Sequence, residues 1–154
     1  MRLVYPLRLA DAEREVALDE ARAVLALTED GQKRADLALL ADALTAGEVG
    51  EAHAALLERI ICLGLQTGRI RALYGPTGEQ AALRLHRRLP EGAEGQERAR
   101  EVTDALTTLR GRELESIQIT AHGPGAFTVA VSAGGVEFSV RLDRQGARLT
   151  SVGV

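Results

Sequence analysis

Around residue 112 the apolar side chains of this sequence stop recurring at helical spacing and begin to alternate. Upstream, Leu37, Leu40, Ala41 and Leu44 stand at i, i+3, i+4 and i+7, the stripe of an amphipathic helix, and Val102, Ala105, Leu106 and Leu109 repeat that spacing. Downstream, Ile117/Ile119/Ala121, Phe127/Val129/Val131 and Val136/Phe138/Val140/Leu142 each alternate with polar or small residues, the pattern of strands with one covered face. His122-Gly-Pro-Gly, Ala133-Gly-Gly and Asp143-Arg-Gln-Gly separate these runs at hairpin length. One element cannot obey both periods. The expected fold class is therefore α+β, with N-terminal helices packed on a C-terminal four- to five-stranded antiparallel β-meander.

Within the first part, helices are expected from Asp11 to about Thr28, from about Gly31 to Ala46, from Gly50 onward, from Gly78 to Leu89 and from about Gln96 to Arg110. The third carries Val49, Ala52, Leu56, Ile60 and Leu63 down one side with Leu57 and Ile61 beside them, and reads as the most buried helix. Leu3, Tyr5, Leu7 and Leu9 alternate around Pro6, which suits an edge strand or extended arm. Arg69-Ile-Arg-Ala-Leu-Tyr74 alternates as a short strand would, and the polar, Gly-rich Pro90–Gln96 stretch reads as a joint. A single domain of 154 residues is expected, helical over about 10–110 and a meander over about 114–154.

A chain of this length can bury about two-thirds of its unfolded surface without disulfide or metal staples. Trp is absent, and Tyr5, Tyr74, Phe127 and Phe138 are the whole aromatic complement, so aliphatic contacts must supply most of the core. The single cysteine, Cys62, lies in the apolar run Ile60–Leu65, where a small hydrophobe is expected to pack and no intrachain disulfide can form. Together with the lack of a signal-like or membrane-length apolar run, this points to a cytoplasmic protein with no membrane partner.

Charge is unevenly distributed. Residues 11–60 hold 12 acids against 5 bases, a net of −7, whereas residues 61–90 hold 5 Arg against Glu79 alone, a net of +4. Arg69 and Arg71 would share a strand face, and Arg84 and Arg88 a helix face with Arg87 beside them. Such a cluster can meet nucleic acid, an acidic protein surface or the acidic helices of this same chain. A pI near 5.7 and the single nearby aromatic, Tyr74, argue against nucleic acid.

The Gly75-Pro-Thr-Gly78 turn ahead of this cluster lacks the Gly-Lys-Ser/Thr of a phosphate loop, and Thr77 followed by Gln80 reads as a capping box. His53, His86 and His122 show no metal-ligand spacing, so neither metal nor cofactor is expected. His53 and Cys62, nine residues apart, stand about 13 Å apart on one helix and cannot act together. Serine never occurs in a nucleophile-elbow motif, and the paired carboxylates lie on polar faces. His122, at a Gly-Pro-Gly hairpin tip, is the one loop residue with a binding claim.

The leading expectation is a non-enzymatic interaction or adaptor protein, a homodimer that presents Arg69, Arg71, Arg84, Arg87, Arg88 and His122 as its binding residues. The alternative is a cone-shaped pocket protein. The stretch Leu40–Leu57 followed by the meander resembles the helix hairpin and sheet of nuclear-transport-factor-like folds. That resemblance implies a small-ligand cavity drawing on Tyr74, His86, His122 and a core carboxylate. The two helical segments between Gly75 and Arg110 depart from that layout.

Overall fold

Residues 3–153 are described by the computed structural model. In chain order the elements are β1 (Leu7–Arg8), α1 (Asp11–Leu27), α2 (Gly31–Ala46), β2 (Glu48–Val49), α3 (Glu51–Gln66), α4 (Arg69–His86) and α5 (Pro90–Thr107), then β3 (Leu114–Gly123), β4 (Ala126–Ala133), β5 (Val136–Asp143) and β6 (Gly146–Gly153). The fold is α+β, as the change of period requires. Two compact units divide at residues 93 and 94.

In the first unit the helix ends follow local chemistry. The Asp30 carboxylate accepts from the Lys33 amide at 2.9 Å and starts α2, and Gly47, at φ 80°, ends it. The extended arm returns over this end, pairing Leu7 with Val49 and bonding the Leu9 amide to the Gly47 carbonyl at 3.0 Å. Leu40, Leu44, Leu57, Ile61, Ile70 and Leu85 are fully buried and make the aliphatic core that the scarcity of aromatics predicts. Helix α4 lies close on α3: a Cβ on Gly64 would stand 2.7 Å from two carbons of Ile70.

Three local expectations are overturned. Residues 69–74 form the first turns of α4, not a strand. The run Arg-Ile-Arg-Ala-Leu-Tyr satisfies both periods, and Ile70 and Tyr74, one helical turn apart, both pack on the core. The Gly75-Pro-Thr-Gly turn is a kink inside α4 rather than a capping box. Gly75 sits at φ 66°, ψ −170°, a region almost closed to other residues, so Pro76 takes a helix-starting position where no amide is needed. Gly78 is required by packing, since a Cβ there would meet the Tyr74 Cβ at 2.2 Å. The Pro90–Gln96 joint is helical, and a Cβ on Gly92 would stand 1.9 Å from the His86 carbonyl oxygen.

The second unit joins the rest of α5 to a sheet of order β3-β4-β5-β6, antiparallel throughout. Arg98 donates to the Gln145 carbonyl at 3.1 Å and so holds α5 against the β5–β6 turn. Gly134 and Gly135 at φ 56° and 75° supply the β4–β5 turn. The register aligns apolar side chains in rows across one face, Ile117–Val131–Phe138–Val152 and Ile119–Val129–Val140–Leu149. Cover is confined to the centre of that face. Phe138 and Val140 are 3% and 6% exposed, whereas Ile117 and Ile119 on β3 are 58% and 66% exposed.

Candidate functional site

Three glutamates, Glu13, Glu20 and Glu58, are the buried charged residues among those described, each 3% exposed. An ionised group removed from water must be paired and hydrogen-bonded. Glu13 accepts from the Ala10 amide at 3.0 Å, capping its own helix, and from Arg88 Nη1 at 2.8 Å. Glu20 accepts from Arg69 Nε at 3.1 and 3.2 Å through its two oxygens and from the Tyr74 hydroxyl at 3.2 Å. Glu58 reaches from α3 to the first turn of α5, where the Glu91 and Gly92 amides donate to it at 3.0 and 2.9 Å. His86 Nε2 stands 3.6 Å from the same carboxylate.

These contacts consume much of the cationic cluster. Arg69 and Arg71 lie at the start of α4 and Arg84, Arg87 and Arg88 at its end. Arg69 is spent on Glu20, Arg71 on Glu79 at 3.1 Å, and Arg88 on Glu13 and the Arg8 carbonyl. Arg84 and Arg87 are exposed and make no ion pair among the described residues. His122 ends β3, its Nε2 2.8 Å from Thr128 Oγ1.

Two groups, the Tyr74 hydroxyl and the Cys62 thiol, are shifted towards their protonated forms. Burial and the Glu20 carboxylate push the Tyr74 hydroxyl up to about 12. Burial, then the charges of Glu58 and Glu91, raise the Cys62 thiol, which disfavours the thiolate. Among the described residues no cluster of three His, Cys, Asp or Glu has the geometry to hold a metal ion. No helix among them is long and apolar enough to cross a membrane.

Two surfaces are built differently. One is a cleft of about 620 Å³ between α2 and α3, with Val24 of α1 and Thr28 just past its end contributing. Its α3 wall is Ala52, Leu56, Ile60 and Leu63, the stripe that sequence spacing assigned to the core. Ile60 of that stripe is buried in the core, as are the flanking Leu57 and Ile61, together with Ala54 and Gly64, whereas Ala52 and Leu63 are exposed on the cleft side. The other surface is the uncovered apolar margin of the sheet along β3. Tyr74, His86 and His122 do not line the 620 Å³ cleft.

Comparison with known protein families, curated proteins and solved structures finds no match.

The buried glutamates were not singled out in the sequence, although their signal is present. Glu13 and Glu20 are seven apart and share a helix face with Val16, Ala17 and Ala21. An acid on a small-residue stripe marks a partnered carboxylate.

Proposed function

We propose that this protein is a non-enzymatic interaction protein that acts as a homodimer, joined edge to edge through β3. The supporting observation is the middle of that edge. β3 holds ten residues without Lys, Arg or Pro; its one acid is Glu115, and its two register shifts with β4 lie towards its ends, between Leu114/Ser116 and Ala121/Gly123, so that Ser116 to Ala121 pairs regularly. Natural edges are normally guarded by such residues or by bulges. The opposite edge, β6, carries Arg148 and a register shift opposite Ser139/Val140.

The sequence of β3 is also self-complementary. Ser116-Ile-Gln-Ile-Thr120 has the same polarity pattern in both directions about Gln118. In an antiparallel pair centred there, Ile117 of one copy faces Ile119 of the other and no like charges meet. Side chains opposite one another share a face, so the apolar rows continue into the partner as one eight-stranded sheet. Pairing β3 with itself is isologous and closes after two copies, whereas pairing β3 with β6 would propagate. Arg84 and Arg87, left without ion pairs, are the part of the cationic cluster that faces an acidic partner surface.

Sedimentation equilibrium tests this reading. The natural protein is expected at twice its 16.4 kDa chain mass. Ile117→Lys/Ile119→Lys, at two exposed positions, is expected to run as a folded monomer. A natural protein that stays monomeric at tens of micromolar, or a variant that stays dimeric, refutes the β3 interface.

A further inference from the structure

We infer that the cleft between α2 and α3 is a binding site for an aliphatic carboxylate. Its apolar walls are aliphatic: Val24, Leu37, Leu56, Ile60 and Leu63 line it, without Phe, Tyr or Trp. Leu63 is 56% exposed, a large apolar cost on a helix whose other faces find their partners. From Ala52 to Leu63 the α3 wall runs about 16 Å at 1.5 Å per residue. A volume of about 620 Å³ lies within the usual range for small-molecule sites.

The polar groups of the cleft select the charge of the occupant. Its one carboxylate, Asp36, already accepts from Gln32 Nε2 at 3.1 Å, and its one hydroxyl, Thr28, donates to the Val24 carbonyl at 2.7 Å. What remains is the imidazole of His53 and two cations, Lys33 and Arg59, neither of which has an ion-pair partner among the described residues. Elsewhere in this unit Arg8, Arg14, Arg69, Arg71 and Arg88 are paired with acids, while Arg22, Arg34, Arg84 and Arg87 have no ion pair among the described residues. What sets Lys33 and Arg59 apart is that both line one apolar cleft, within a stretch that has seven more acids than bases. A carboxylate on a flexible alkyl chain satisfies both: the chain covers the leucines, and the head group accepts from Lys33 and Arg59. The inference is independent of the β3 dimer, since no cleft residue lies on the sheet.

Calorimetric titration with dodecanoate below its micellar concentration, and with dodecanol as the uncharged match, reads the site directly. One dodecanoate is expected to bind per chain, with dodecanol weaker by about tenfold or more, the worth of a charged hydrogen bond. Lys33→Gln/Arg59→Gln, both at exposed positions, is expected to remove that preference while the circular dichroism spectrum is unchanged. Leu63→Arg is expected to abolish binding of both probes. The Ile117→Lys/Ile119→Lys variant is expected to bind dodecanoate normally, which separates this site from the sheet face. Equal affinity for the two probes, no saturable binding, or binding insensitive to Arg59 overturns the inference. So does a change of oligomeric state in Leu63→Arg, which would make a second copy the occupant, or capture of a Leu/Glu amphipathic peptide with dodecanoate ignored.

Discussion

Glu58 illustrates how a single side chain can fix the course of the backbone. The first amides of a helix have no intrahelical acceptor, and α5 begins with Pro90, which has no amide to satisfy, followed by Glu91 and Gly92, which do. The Glu58 carboxylate takes both, with its negative charge at the positive end of the helix. Gly92 belongs to the same arrangement, because only a residue without a side chain lets the turn press against the His86 carbonyl. Glu58→Ala is expected to cost about 2–3 kcal/mol, since it strands two amides away from water. Glu58→Gln, which retains an acceptor, is expected to cost about 1 kcal/mol. Urea denaturation measures both, and hydrogen exchange should quicken at Glu91 and Gly92 while the centre of α2 stays protected. Little of this was legible beforehand. Pro-Glu-Gly-Ala-Glu-Gly has the composition of a loop, and the group that makes it helical lies 33 positions upstream of Glu91.

At the scale of elements, legibility followed length. The meander was read correctly because each strand spans several alternations and each turn carries glycine where positive φ is required. The six residues from Arg69 to Tyr74 were misread because so short a run fits either period, and what decides it is burial of Ile70 and Tyr74 against α1 and α3. The seam between α1 and α4 turns on the same residues: Arg69, Tyr74 and the Glu20 carboxylate. Its response to alkali follows from the raised Tyr74 hydroxyl. Unfolded tyrosine ionises near pH 10, whereas in the fold this group holds its proton to about 12. The seam's contribution is therefore complete below about pH 10 and is lost as the pH rises towards about 12. Denaturant midpoints at about pH 9 and about pH 11 should differ more for the natural protein than for Tyr74→Phe, which has no hydroxyl to ionise. Equal pH sensitivity in the two proteins would separate Tyr74 from this linkage. The α3 stripe gives a parallel lesson. Periodicity identified the apolar sides of the helix, and Leu57, Ile60 and Ile61 are buried as it implied, but it did not show that Ala52 and Leu63 at the margin would line a cleft.

At the scale of the molecule, the proposed β3 pairing would couple assembly to stability. A sheet whose apolar face is covered only at its centre leaves Ile117, Ile119 and Val152 exposed, and a second copy paired along β3 would flank Ile117 and Ile119 with its own isoleucines and so reduce that exposure. If folding and pairing are linked in this way, the unfolding midpoint must rise with protein concentration, because dissociation accompanies denaturation. Each tenfold increase in concentration is worth about 1.4 kcal/mol per mole of dimer. Thermal denaturation across a concentration series is expected to show that rise in the natural protein and a flat response in Ile117→Lys/Ile119→Lys. The near-palindrome about Gln118 was present in the sequence from the start. It acquires meaning only with the strand order, because the same five residues in a central strand would have both neighbours filled. A rise in midpoint that persists in the lysine variant would move the contact away from β3, to a surface where neither isoleucine lies.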